Sequence, residues 1–396
     1  MNKLVRVLSG LMAIILVLYM VVIFIVPPIV DKKFNTSTLQ PPYKVSEKAQ
    51  TLYNSLPFIA DLHCDALLWD RDLQERHDYG HVDIPRMLEA NMSLQAFTIV
   101  SKVPETVVTK NPKEENFKDN KADSDIITPI YLVEGRPIKS WFNLKERALV
   151  QCEQLYDFES ESFRVITSSS GLEKFIADKN ATKNITAGYL GVEGMQVLEG
   201  ELSNVDVMFD AGIRMMAPTH FFDNELGGSA HGMSKSGLTE FGKQVINKME
   251  EKSMIVDLAH ASPQLINDVL EMATKPVIVS HTGVKGTCDN VRNLSDDHLK
   301  KIAGAGGLIG IAFFEPAVCG TDAAATAKAI KYTADLVGID HVALGSDFDG
   351  AIAMHFDVTG LPLLVEALLE LNFTDTEIAK IMGGNTCDFL LKYLPE

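Results

Sequence analysis

The chain has 396 residues, 46% of them hydrophobic and 22% charged, with a formal net charge of -17. That composition is ordinary for a globular enzyme and excludes a disordered or fibrous chain. The acidic excess repels nucleic acid, with no basic stripe and interleaved aromatics to counter it, and the five scattered cysteines form neither a disulfide-rich scaffold nor a CxxC knuckle.

Val7 to Val26 carries no charge and is long enough to cross a hydrocarbon core of about 30 Å as a helix. Lys3 and Arg6 precede it, as an N-in signal anchor requires, although Lys32 and Lys33 follow. With no small-x-small cleavage site after Pro27 and Pro28, residues 1–30 are expected as an uncleaved transmembrane anchor and the catalytic part as exported, to a periplasmic or extracellular side. Residues 31–47, polar and holding Pro41 and Pro42, are expected as a stalk.

From residue 48 to 396, short apolar runs alternate with helical periodicity, the pattern of βα units around a parallel sheet. Eight runs read as strands: Phe58–Asp65, Met92–Val100, Ala187–Gly194, Ile213–His220, Met254–His260, Pro276–His281, Leu308–Phe313 and His341–Asp347. Eight is the number of a (β/α)8 TIM barrel, which one domain of this length accommodates. Helical spacing marks Glu240–Lys252, Pro263–Ala273, Asp296–Ala303 and Ala323–Val337, then Gly360–Leu371, Asp375–Met382 and Thr386–Tyr393, with a break at Gly384-Asn385. Residues 101–185, after the second strand, are too long for a βα loop and are expected as an insertion, its charged stretch Lys110–Asp125 solvated.

Ionisable residues sit at the carboxyl ends of six of these strands, where barrels collect their chemistry. His63 and Asp65 end the first, Glu193 the third, His220 the fourth, His260 the fifth, His281 the sixth, and Asp347 with Asp349 the eighth. A lone histidine beside an apolar run is usually a hydrogen-bonded core residue; the whole set points to metal, because imidazole and carboxylate are typical zinc ligands. In the HxD spacing of His63 and Asp65, alternation sends both side chains to one site and turns Cys64 away as a buried thiol. Asp349, beside Gly350, reads as a turn residue.

In order, DLHCD (61–65), GVEG (191–194), APTHFFDN (217–224), DLAH (257–260), SHT (280–282), NVRNLSDD (290–297) and GSDFDG (345–350) resemble the membrane (renal-type) dipeptidase family, peptidase family M19, over roughly residues 57–394. The resemblance implies two zinc ions, although cobalt or manganese would accept the same ligands. His63 and Asp65 would bind one, His260 and His281 the other, and Glu193 both. It further implies attack on a dipeptide's peptide bond by a metal-bridging hydroxide, with His220 stabilising the oxyanion, Asp347 relaying a proton and Arg292 gripping the substrate carboxylate. A Cys288–Cys319 disulfide and a homodimer are implied in the same way, leaving Cys152 and Cys387 as free thiols. Cys64 departs from the asparagine of mammalian members. Two other readings remain open: a related amidohydrolase acting on a lactam, lactone or N-acyl amino acid, and a non-catalytic anchored binding protein.

Overall fold

The computed structural model describes residues 3–109, 120–182 and 184–396. Its strands are β1 (Ala60–Asp61), β2 (Leu94–Val100), β3 (Phe163–Val165), β4 (Thr186–Glu193), β5 (Ile213–Ala217), β6 (Ile255–Val256), β7 (Ile278–Thr282), β8 (Leu308–Ile311) and β9 (Val342–Leu344). All pairings between them are parallel, in the orders β1-β2-β4-β5-β6 and β7-β8-β9. Two short bridges sew these sheets into a ring. Asp257 pairs with Ile278, where Leu258 N donates to Ile278 O at 2.7 Å, and Cys64 pairs with Phe348, where Leu62 N donates to Leu344 O at 3.0 Å. Among the described residues the ring therefore holds the eight expected strands, and the chain has the TIM-barrel fold.

Burial on both faces explains why these runs are continuously apolar. Along β2, Leu94 and Ala96 pack inward with Tyr189, Met215 and Ile278, while Phe97 and Ile99 meet the surrounding helices. The helix Asn385–Tyr393 sends Phe389 and Leu390 into the inner cluster. The break before it falls at Gly383, one residue earlier than expected, inside a π-type turn.

Among the described residues the expected insertion after β2 consists of helices and a strand. It contains the helices Glu105–Thr109, Ile127–Val133, Leu144–Asp157 and Ser169–Thr182, together with β3, which pairs with the amino-terminal part of β4 outside the ring. Alternation missed β3 because three residues are too few to show a period. Within the charged stretch Lys110–Asp125, residues 110–119 lie outside the described residues.

At the amino terminus one helix runs from Lys3 to Phe34, through Pro27 and Pro28, and its apolar part is long enough to cross a membrane. Residues 31–39, expected as part of a stalk, lie against the barrel. Asp31 pairs with Arg71 at 3.3 Å, Asn35 Oδ1 accepts from Ala351 N at 3.0 Å, and Thr38 N and Leu39 N donate to Met354 O and His355 O. Phe34 stacks on Trp69 with ring centroids 6.5 Å apart. Higher up, Tyr19 Oη donates to Leu132 O at 3.0 Å. These contacts are tertiary, between groups more than thirty positions apart, so a local reading of residues 31–47 gives no sign of them.

Candidate metal centre

The carboxyl ends of the strands deliver the polar residues to one place. Along β4, Ala187 and Tyr189 face inward, so the two-residue period carries Glu193 to the top of the interior. At β7 the same period would turn His281 outward with Val279. The register of β7 against β8 shifts between Val279 and Thr282, and this bulge re-aims the imidazole into the site. Glycines make the bulge possible: a Cβ on Gly310 or Gly345 would collide with the Ser280 carbonyl oxygen.

Two buried aspartates set the histidine-bearing turns. Asp61 accepts from His63 N at 2.8 Å and from Ser346 N at 3.1 Å, tying β1 to β9. Asp257 accepts from Ala259 N at 3.0 Å and from Ser280 N at 2.8 Å, tying β6 to β7. His260 and Asp347 then take left-handed backbone, φ 60 and 67, which non-glycine residues adopt only when their surroundings enforce it. The sequence reading gave neither aspartate a role. Their signal was the recurrence of Asp-Leu before the histidine in both DLH and DLAH.

His63 Nε2 lies 3.4 Å from Asp65 Oδ1, 3.6 Å from Glu193 Oε1 and 3.8 Å from Asp347 Oδ1. Glu193 Oε1 is also 2.9 Å from His260 Nε2 and 3.3 Å from His281 Nε2, while Oε2 is 3.2 Å from His220 Nε2. Ligand atoms of His63–Asp65–Glu193, of Glu193–His220–His260 and of His63–His281–Asp347 each fall within 4.8 Å of one another. Arg292, in the loop after β7, donates from Nη2 to His281 O at 2.7 Å and feels the charges of Glu193 and Asp347. The sequence-predicted site residues thus meet in one buried cluster, and Asp65, Glu193, His220, His260, Arg292 and Asp347 line the pocket above it.

Burial dominates the electrostatics. It raises Glu193 well above the usual carboxylate range, with Asp65 adding to the effect, and raises Asp347 to about 7. It holds His220, His260 and His281 well below an ordinary imidazole, so all three are neutral, each with one lone pair and one N–H. At His63 burial works the other way from the net result: Glu193 and Asp65 outweigh it and lift the imidazole to about 10. Crowded carboxylates among neutral imidazoles are relieved by a cation.

The donor set supports the same conclusion. His63 Nε2 is buried without a hydrogen-bond partner among the described residues, and the Nε2 atoms of His260 and His281 point at each other across 3.0 Å. Such converging nitrogens and carboxylates, with no thiolate among them, fit zinc or a similar divalent ion.

Asp349 is more than a turn residue. It has the left-handed backbone expected before glycine, φ 60, yet is fully buried. Its carboxylate accepts from Arg71 Nη2 at 2.6 Å, His81 N at 2.7 Å and Val82 N at 3.1 Å, and its carbonyl accepts from Trp69 Nε1 at 2.7 Å. Burial alone would raise this carboxyl, but Arg71 and His81 hold it well below the usual range. Cys64 is buried beside it, facing the outer core. Near the pocket rim Cys288 is joined to Cys319, with Cα atoms 5.3 Å apart.

A parallel eight-stranded barrel with acid and imidazole groups clustered at the carboxyl ends of its strands is the architecture of barrel metallohydrolases. The profile of the membrane dipeptidase family, peptidase family M19, matches residues 46–390, and the chain belongs to that family. An uncharacterised dipeptidase of Schizosaccharomyces pombe is 29% identical over 230 residues, 56% of this chain and 55% of its own length, so the match spans about half of that relative. Among solved structures, the dipeptidase AC, a metallopeptidase of family M19, superposes with a TM-score of 0.69 at 22% identity, covering 86% of this chain and 99% of its own. A metallopeptidase of Rhodobacter sphaeroides, bound to a phosphinate mimic of the dipeptide L-Ala-D-Ala, gives 0.69 at 22%, covering 85% and 99%. At such identities these likenesses establish the shared fold.

Proposed function

We propose that the protein is a zinc-dependent dipeptidase. The apolar part of the amino-terminal helix anchors it in a membrane, residues 30–39 pack on the barrel at the end of that helix, and 48–396 form the catalytic barrel on the exported side. The observation that carries this reading is the convergence of His63, Asp65, Glu193, His260 and His281, from four strand ends, on one buried cluster with Glu193 in its middle. His63 with Asp65 would hold one ion and His260 with His281 a second, Glu193 serving both. Bound divalent ions polarise a carbonyl and make water nucleophilic near neutral pH.

The rest of the chemistry belongs to the chain. Arg292, its guanidinium fixed by the His281 carbonyl, pairs with the free carboxylate of the substrate and sets the scissile bond at a fixed distance from the cluster. His220 donates to the oxygen on which negative charge develops. Asp347, whose side chain keeps 15% exposure beside the buried His63, passes a proton to the leaving amine. A chain extending beyond the second residue would have no carboxylate to offer Arg292, so long peptides should be poor substrates.

The test is metal content and hydrolysis measured on the same preparation. Full-length protein in detergent should bind about two zinc ions per chain and cleave dipeptides in a chelator-sensitive way. His260→Ala should lose metal and activity. Arg292→Ala should keep its metal and raise KM by roughly a hundred-fold, the equivalent of one lost charge-assisted contact of about 3 kcal/mol, with little change for C-terminally amidated substrates. A protein that binds no metal, even when zinc is supplied, would sink the reading.

A further inference from the structure

The pocket over the metal cluster encloses about 1020 Å³, at the upper end of the ~300–1,000 Å³ that suits drug-sized ligands and well beyond the needs of two residues. Its two sides differ. In the ring, β7 stands four places from β2 and so directly opposite it. The β7 side supplies Arg292. The β2 side supplies Val103, Ile127 and Ile130, and against these pack Trp69 from the β1 loop and Val30 and Phe34 from the end of the long amino-terminal helix. A substrate held by its carboxylate at Arg292, with its scissile carbonyl at the cluster, sends whatever lies beyond that carbonyl onto this apolar wall.

A second observation concerns the rim. Among the described residues, the large apolar side chains exposed outside the amino-terminal helix are Leu39, Ile138, Phe142, Met233 and Val291. Ile138 and Phe142, 75% and 77% exposed, lie in the insertion after β2 between the helices Ile127–Val133 and Leu144–Asp157, Met233 lies between β5 and the helix Glu240–Glu251, and Val291 between β7 and the helix Asp296–Gly304. Leu39 bonds to His355, beyond β9. All five therefore lie at the mouth end of the barrel. The helix long enough to cross a membrane also touches this end, through Tyr19 and Phe34. These side chains come from separate loops around the mouth, and the long apolar helix reaches the same end of the barrel.

We infer that the pocket takes N-acyl amino acids with long hydrocarbon chains, drawn from the membrane on which the mouth rests, the chain lying on the Val30–Phe34–Ile130 wall and the carboxylate on Arg292. The inference rests on the hydrolase reading above and names a substrate class for the same site. In the reaction, water adds to the acyl carbonyl and the C–N bond breaks. The products are a fatty carboxylate and an amino acid whose amine takes up the water's remaining protons.

The experiment uses full-length, zinc-loaded protein in a non-ionic detergent, with Ala-Ala and with acetyl-, hexanoyl-, octanoyl- and decanoyl-alanine below their micellar concentrations. kcat/KM should rise about three- to four-fold for each added methylene. Phe34→Ala and Ile130→Asp, made separately, should each lower the ratio of decanoyl to acetyl hydrolysis at least ten-fold, a ratio that cancels any loss of folded protein. Cleavage of Ala-Ala with a flat or absent response to acyl length would overturn the inference and leave the dipeptidase reading standing. A rising response that neither variant alters would overturn the assignment of the wall. Failure to cleave any of the substrates would remove the hydrolase reading, and the inference with it.

Discussion

Asp349→Asn separates two descriptions of one residue. Asparagine adopts left-handed backbone as readily as aspartate, so if position 349 matters only as a turn the substitution should cost less than about 0.5 kcal/mol. The structure requires more. An amide NH2 would face either a backbone N–H of His81 or Val82 or the Arg71 guanidinium, all of which now donate to a carboxylate oxygen. Among the described residues Arg71, fully buried, would keep Asp31 at 3.3 Å as its one carboxylate partner, with the Val82 carbonyl at 3.4 Å. Breaking a buried ion pair from one side costs about 3–5 kcal/mol. For the roughly 350 residues of the barrel, an unfolding entropy of about 2.1 cal/mol/K per residue gives ~0.7 kcal/mol/K, so Tm should fall by about 4–7 °C. Differential scanning fluorimetry can follow this through Trp69, whose indole donates to the Asp349 carbonyl. The pH dependence provides an independent check. A carboxyl held below its unfolded value stabilises the fold above that value and loses the contribution as pH falls through the folded pKa. The gap in Tm between the two proteins should be full at pH 7 and shrink below about pH 4. A shift under 1 °C at neutral pH would refute the ion-pair account.

Removing the disulfide with Cys288→Ser and Cys319→Ser opens a loop of 31 residues. Chain entropy puts the cost at about 3–4 kcal/mol, a Tm lower by roughly 5 °C that reductant should reproduce in the parent protein. Gly345→Ala places a Cβ against the Ser280 carbonyl and forces β9 away from the bulge that aims His281. Bound metal should drop, by elemental analysis, more steeply than helix content by circular dichroism; equal losses would mean general unfolding instead.

Periodicity and order along the chain were enough to reveal the barrel and the acid and imidazole groups of the cluster, whereas Arg292 was named only through the resemblance to the family. Eight apolar runs at βα spacing, and polar residues at their carboxyl ends, are local patterns that survive in one dimension, and burial on both faces kept the runs uniform enough to read. Glu193 follows directly, since a strict two-residue period from Tyr189 delivers it inward. His281 was named for its place at a strand end, but its orientation came from a bulge, a change of register that depends on the neighbouring strand and on glycines at 310 and 345. Other features were legible only in three dimensions. Asp349 looked like a turn because its partners, Arg71 and His81, lie about 270 positions away. β3 was too short to show a period, and residues 31–39 looked like linker because their partners are distant in the chain, in the loops beyond β1 and β9. Sequence determines which side chains can be buried and where a strand ends, because those are properties of neighbours along the chain. Which carboxylate meets which cation, and which wall lines the pocket, only the tertiary structure decided, because such contacts join segments that the chain itself keeps far apart.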